Sequence, residues 1–145
     1  MNSDMKDFAP PDGFIPHFRK SSLTNPWEPI YSKQTEDAVF LGLLVGNAHT
    51  NSRGFAHGGL ITALADNAMG LSCALHVENL SGLVTAGLAI DFLGSAQIGQ
   101  WLEIRPEVLK AGRSISFVQC MVTADGVPCA RGNATFSLQR KPLAA

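Results

Sequence analysis

Charge is scarce in this chain. Asp, Glu, Lys and Arg make up 16% of its 145 residues and nearly cancel, leaving a formal net charge of -1. The basic face that marks a nucleic-acid partner is missing. Cysteine is sparse too: Cys73, Cys120 and Cys129 are odd in number, scattered and without CxxC spacing. They fit reduced core thiols better than a disulfide framework or a zinc site, so no metal is expected. No apolar run long enough to span a membrane is free of polar residues. The longest, Gly58 to Val77, has about the length of a membrane span but contains Asp66, Asn67 and His76, which are costly against lipid. It reads as a buried helix, and no membrane span is expected. Met1 to Phe8 mixes Asp4, Lys6 and Asp7 with polar residues and shows no secretory pattern, which points to a cytoplasmic protein.

The length suits one domain with a real core. Residues 1–31 read as an N-terminal extension and 32–145 as the main domain. In the extension, Pro10-Pro11-Asp12-Gly13 is turn chemistry, and Asn25-Pro26-Trp27-Glu28-Pro29 blocks a continuous helix. Between them there is room for a short helix near Ile15 to Ser21, with Phe14, Ile15, Phe18, Leu23 and Trp27 as an apolar cover for a groove.

The main domain opens with a β-prone run, Val39 to Val45, bounded by polar residues. A glycine-rich loop and the apolar helix follow, then four strand-like runs with no helix between them. In Leu83 to Leu93, Val84, Ala86, Leu88, Ile90 and Phe92 alternate with Thr85, Gly87, Ala89 and Asp91, predicting one apolar and one small, polar face. Trp101 to Lys110 alternates in the same way. Ser114 to Ala124 is apolar on both faces and should be central. Asp125-Gly126 signals a tight hairpin. In the last run Ala130, Gly132 and Ala134 should let the helix approach the sheet closely. The expected architecture is α+β, an antiparallel sheet wrapped around one long central helix.

On that helix, Gly59, Thr62, Ala63, Met69, Gly70 and Cys73 fall on the side of Asp66 at 100° per residue. Leu60, Ile61, Leu64, Ala68, Leu71 and Leu75 fall opposite and should pack on the sheet. Asp66 is the only charged residue from Gly58 to Val77. It fits a structural carboxylate held by amides, and equally a catalytic one. His57-Gly58-Gly59 opens the helix, where unpaired N–H groups and the positive dipole end could polarise a carbonyl. His57 also fits a plain N-terminal cap. Gly58 and Asp66 are eight residues apart, roughly 12 Å along a helix axis. They cannot easily converge on one small reaction centre within a chain, whereas two antiparallel copies could pair Gly58 of one with Asp66 of the other. If the two act together, the active unit is a dimer.

The motif Asn51-x-x-Gly54-x-x-His57-Gly58-Gly59, followed by Ala65-Asp66, does not stand alone. With it go Asp91-Phe92-Leu93 and Gly99 beyond, Lys110-Ala111-Gly112-Arg113, and Asp125-Gly126. In this set the chain resembles the hotdog-fold acyl-CoA thioesterases of the phenylacetate-pathway (PaaI-like) branch, from about Tyr31 to Gln139. The resemblance implies a homodimer that joins two sheets, often paired into a homotetramer, and hydrolysis of an acyl-CoA thioester. It implies that Gly58 N–H holds the thioester carbonyl and that Asp66 of the partner subunit acts as general base or nucleophile. Asn51 would position water or Asp66, His57 would order the loop, and Thr85 would aid water placement. No cofactor is implied beyond the CoA of the substrate. For its phosphates, Lys110 and Arg113 around Gly112 are the first candidates, with Arg53 and Gly59 nearer the loop, although Lys110 and Arg113 equally fit solvated hairpin charges. Phe14, Trp27, Phe55 and Met69 are candidates for the acyl pocket. Phe92-Leu93-Gly94-Ser95-Ala96 departs from relatives in lacking a proline before Ala96, and Thr85 stands where others carry Ser or Thr. Two other readings compete with hydrolysis. One is a non-catalytic acyl-CoA binder. The other is an acyl-thioester dehydratase or hydratase, disfavoured because position 71, five after Asp66, is Leu rather than His.

Overall fold

The structure, a computed structural model, describes residues 7–142. Among the described residues one α-helix, α1 (Gly58–Ala74), is accompanied by seven strands: β1 (Ile15–Pro16), β2 (Tyr31–Gln34), β3 (Val39–Leu44), β4 (Leu80–Phe92), β5 (Trp101–Ala111), β6 (Ile115–Ala124) and β7 (Val127–Arg140). The strands form one sheet in the order β1-β2-β3-β5-β6-β7-β4, with every pairing antiparallel. α1 packs against β3 through β7. This is the α+β hotdog architecture. Among the described residues, no helix is long and apolar enough to cross a membrane.

The core forms where the sheet's inner face meets α1. Leu60, Ile61, Leu64, Ala68 and Met69 pack with Leu41, Leu43, Leu102, Ile104, Val118, Val122 and Phe136. Each large aliphatic residue buried this way contributes about 1.5–3 kcal/mol. One buried polar tie fixes the helix to the sheet: Val39 N–H donates to Ser72 Oγ at 2.9 Å. The open stripe of α1 differs from the one expected. Met69, Gly70 and Cys73 are buried, whereas Leu71 is half-buried and Leu75 exposed. Thr62, Ala63, Asp66 and Asn67 remain on the open side. The sheet therefore covers a wider arc of the helix than a single stripe of large side chains.

Before the helix the sequence is harder to read. No helix forms over Ile15 to Ser21: Ile15–Pro16 is a strand paired with Tyr31 and Ser32. Proline lacks an N–H and drives the residue before it into extended backbone, which favours an edge strand there. The short helical turn lies later, at Asn25–Trp27. β2, with the sequence Tyr-Ser-Lys-Gln, has no apolar alternation to announce it. Beyond it, Phe8, Phe14 and Tyr31 gather round Trp101, with ring centroids 5.8, 5.1 and 6.0 Å from the indole. The Trp101 ring lies over Gly42, where any Cβ would collide with it.

β6 is central, as its apolar character predicts, but only one of its faces is covered. Val118 and Val122 are buried, while Ile115, Phe117 and Met121 on the outer face are 47%, 46% and 39% exposed. The small residues of β7 act differently from expectation at one position. The space above Gly132 is filled by Ile90 and Cys120, whose Cδ1 and Sγ would lie 2.6 and 3.1 Å from an added Cβ. All three cysteines are free and buried. Burial raises their thiol pKa values, that of Cys120 to about 11.

The alternation in β4 is broken by a bulge. Thr85 pairs with Phe136 and Gly87 with Thr135, leaving Ala86 as an extra residue. Directly opposed residues share a face. Thr85 therefore points inward beside Phe136, and Leu88, Ile90 and Phe92 also point inward, opposite Ala134, Gly132 and Ala130. Val84 points out. The sequence reading that set Thr85 against Leu88 on opposite faces is corrected by this one inserted residue.

Candidate active site

The site begins with a loop folded on its own asparagine. Asn51 Oδ1 accepts from the N–H groups of Arg53 at 2.9 Å and Phe55 at 3.2 Å. Asn51 N–H donates to Phe55 O and Gly54 N–H to Asn51 O. Gly54 sits at φ +81°, a left-handed conformation that favours glycine. Ala56 N–H then donates to Ala96 O, tying the loop to the segment before β5. The Asn51 side-chain oxygen is thus committed to shaping the loop.

A second histidine holds the loop from below. His57 N–H donates to His49 O at 2.8 Å. His49 is 3% exposed; its Nδ1 accepts from Gly46 N–H, and its Nε2 lies 2.8 Å from Trp27 O. Those two partners specify the neutral Nε2–H form. Burial pushes its pKa below the ordinary value, while the Trp27 carbonyl raises it by less. His49 is absent from the sequence candidates because it lies in a short polar turn with no pattern of its own.

At the start of α1 the orphan amides are partly used. His57 Nδ1 accepts from Gly59 N–H at 2.8 Å, an N-terminal cap made by an imidazole. Thr62 Oγ1 donates to Gly58 O at 2.7 Å, and Ile61 N–H makes the first helical bond to His57 O. Among the described residues, Gly58 N–H has no acceptor. The Phe92 ring stands over Gly58, 3.1 Å from where a Cβ would lie. Phe92 thereby joins the site, a residue the motif contains but to which sequence reasoning gave no role.

Two turns further along α1, the half-buried Asp66 accepts a 2.7 Å hydrogen bond at Oδ1 from Thr85 Oγ1. The bulge at Ala86 makes that contact possible. Asp66, Asn67 and Thr85 open onto a cavity of about 630 Å³, with Leu64, Leu71, Leu83 and Phe136 as apolar lining. The segment between β1 and β2, including His17 and Arg19, completes its wall. None of the residues anticipated for the acyl pocket lines this cavity. Phe14 packs on Trp101, Met69 is in the core, Trp27 packs against it, and Phe55 sits beside Arg53 in the loop.

The structure keeps the other candidates apart from this constellation. Lys110, Gly112 and Arg113 lie at the β5–β6 hairpin, at the sheet end where β4 begins and β7 finishes. The Asn51 loop lies at the opposite end, near the β6–β7 turn. Lys110 faces outward opposite Phe117. Gly112 is in tight contact with the Ile115 carbonyl, and Arg140 holds the hairpin through the carbonyls of Arg113 and Gly112. Arg53 is exposed in the loop, its guanidinium 5.8 Å from the Phe55 ring centroid.

A curled antiparallel sheet with a glycine amide at its helix start, and a carboxylate midway along that helix, places the chain among hotdog-fold enzymes that act on thioesters. The pattern of the thioesterase superfamily matches residues 53–130, and the chain belongs to that family as a thioester hydrolase. It is 38% identical over 108 residues to a Pseudomonas aeruginosa protein named "Putative esterase PA0474", covering 74% of this chain and 81% of that one. With human acyl-coenzyme A thioesterase 13 it shares 33% identity over 101 residues, 67% of this chain and 70% of the relative. Zebra fish thioesterase superfamily member 2 has the same fold, with a TM-score of 0.75 at 24% identity over 83% of this chain and 88% of that one. So does a Streptococcus pneumoniae protein described as a hypothetical thioesterase and solved with coenzyme A, with a TM-score of 0.71 at 24% identity over 79% and 92%. The phenylacetic acid degradation protein PaaI of Thermus thermophilus shares it too, at 0.68 and 21% identity over 74% and 91%.

Proposed function

We propose that this protein hydrolyses acyl-CoA thioesters at a site shared between two copies of the chain. The observation that carries the reading is the Asp66 carboxylate, opened onto a cavity and oriented there by Thr85 at 2.7 Å. Gly58 N–H, at the positive end of α1, holds the thioester oxygen as negative charge develops on it. Asp66 of the partner subunit takes a proton from water as the water oxygen bonds to the carbonyl carbon. The carbon–sulfur bond then breaks, and CoA leaves as the thiolate and is protonated. In the alternative route the same carboxylate attacks the carbonyl carbon, CoA leaves as the thiolate and water cleaves the mixed anhydride, and isotope transfer from labelled water in a single turnover separates the two routes. Asn51 and His57 keep the amide aimed by shaping the loop and capping the helix.

The exposed edge of β4 supports the dimer. It is a 13-residue edge strand whose one charged residue is Asp91. Val84, Phe92 and the following Leu93 are each more than half exposed. Long apolar edges are normally protected or paired, and a second β4 running antiparallel would pair this one. The same pairing brings Gly58 of one copy toward Asp66 of the other. That human acyl-coenzyme A thioesterase 13 is a relative and that the S. pneumoniae protein is solved with coenzyme A favour CoA as the leaving thiol. Lys110 and Arg113, far from the Asn51 loop in their own chain, remain the candidates for its phosphates, reached across the dimer.

The test is release of free thiol from a panel of acyl-CoAs. Asp66→Asn is expected to lower kcat by about 10²–10⁴-fold, the range for losing a positioned acid–base group, with an unchanged far-UV spectrum. Full activity in that variant would remove Asp66 from the chemistry.

A further inference from the structure

The Asp66 cavity has a wall that the hydrolytic chemistry leaves unused. His17, Arg19, Ser21 and Thr24, from the segment between β1 and the Asn25–Trp27 turn, line it together with α1 and the start of β4. His17 N–H is pinned to Ile30 O at 2.9 Å. The imidazole is 7% exposed, and among the described residues its Nδ1 has no hydrogen-bond partner. A buried polar group without a partner calls for an explanation. Arg19 makes no ion pair or side-chain hydrogen bond among the described residues. The nearby carboxylate of Glu28 is already taken, by Lys20 at 2.9 Å and by Ile30 N–H at 2.7 Å. Ser21 and Thr24 spend their hydroxyls on each other at 2.9 Å. The wall thus offers a buried imidazole with unspent capacity and, beside it, an exposed guanidinium free of partners among the described residues, on the cavity that holds the reacting carboxylate.

A purely aliphatic acyl chain would leave the buried imidazole unanswered, and an unpaired buried polar group is what lets a site reject such a ligand. Resting on the acyl-CoA thioesterase reading, we infer that His17 and Arg19 recognise a carboxylate at the far end of the acyl group. The substrate class is then the CoA monothioesters of dicarboxylic acids. Arg19 pairs with the carboxylate, and His17 donates beside it. Leu64, Leu71, Leu83 and Phe136 receive the methylenes between the two ends. Asp66 sets a lower limit on length, because two carboxylates close together repel. Glutaryl and adipyl groups fit that requirement better than malonyl.

The experiment compares kcat/KM for adipyl-CoA and hexanoyl-CoA, which share a chain length and differ in the terminal group. It uses the wild-type protein, Arg19→Ala, Arg19→Lys and His17→Gln, with thermal melts to confirm folding. The wild type is expected to prefer adipyl-CoA by about tenfold or more. The ratio should collapse toward one in Arg19→Ala, mainly through KM for adipyl-CoA, and partly recover in Arg19→Lys. A wild-type preference for hexanoyl-CoA, or an adipyl preference that survives Arg19→Ala, overturns the inference. So does an equal loss on both esters, confined to CoA and absent with the pantetheine thioesters, which would place Arg19 on the coenzyme phosphates. Hydrolysis of hexanoyl-CoA that depends on Asp66, without any Arg19-dependent selectivity, leaves the thioesterase reading standing and this one fallen. Failure to hydrolyse any acyl-CoA would remove both.

Discussion

Thr85 is the residue whose removal should say most about Asp66. Its hydroxyl is the side-chain donor to Oδ1, and a hydrogen bond to a charged group is worth about 1.5–3 kcal/mol. Thr85→Val keeps the shape and deletes the donor. kcat is expected to fall about tenfold or more, and Thr85→Ser should restore most of it, as read by steady-state kinetics. Histidine gives a separate signature in stability. His17 and His49 both have pKa values lowered from 6.5, chiefly by burial. Glu28 partly offsets this for His17, and the Trp27 carbonyl for His49. Between the lowered folded value and 6.5 the unfolded chain binds more protons, so stability rises with pH there. It is complete above about pH 6.5 and is lost as pH falls through the folded values. The melting temperature should therefore drop between pH 7 and 5, and less steeply in His49→Gln.

At the level of elements, what the sequence discloses depends on whether a pattern is local. The helix is legible from one apolar run with Asp66 in it, and the β6–β7 hairpin from Asp125-Gly126. The Asn51–Gly59 segment is legible because glycines and a helix opening coincide. Other features depend on distant partners and leave no local trace. β2 is polar and short, and its strand character comes from pairing with β3. The Ala86 bulge is set by β7, so simple alternation misassigns the faces of β4. His49 acts through Trp27 and Gly46. The contact of Trp101 with Gly42 belongs to the same class. Gly42→Ala should force the indole off the sheet and disturb its cluster with Phe8, Phe14 and Tyr31, costing about 1–3 kcal/mol, as overpacking does. Denaturant midpoints and a change in tryptophan emission would report it. Unchanged values would mean that the ring has another place to go.

For the whole molecule, the decisive question is whether one site draws on two chains. Gly58→Pro deletes the amide hydrogen at the first helical position, which favours proline, and its ring requires the Phe92 side chain, 3.1 Å from an added Cβ, to shift slightly. Asp66→Asn disables the other half-site. If each site takes Gly58 from one copy and Asp66 from the other, mixed dimers contain one site with both defects and one with neither. Co-expressing the two inactive variants should restore about half of the wild-type activity per mixed dimer. Verified heterodimers with no activity would show that the groups serve the same chain. The outer face of β6, with Ile115, Phe117 and Met121 exposed, is a separate surface, and its substitution should leave this complementation intact.

The extra residue in β4 works as a change of phase. From Gly82 to Thr85 the strand keeps one parity, from Gly87 to Phe92 the other, and both stretches thereby address the interior. Thr85 reaches Asp66 from the first half, and Phe92 covers Gly58 from the second. In an unbroken strand the two positions, seven residues apart, would face opposite ways, so one of them would always be lost. The two ends of the catalytic apparatus are thus held in step by an insertion that belongs to neither. A change of chain length there would separate them, and no exchange of side chains at the flanking positions could restore both.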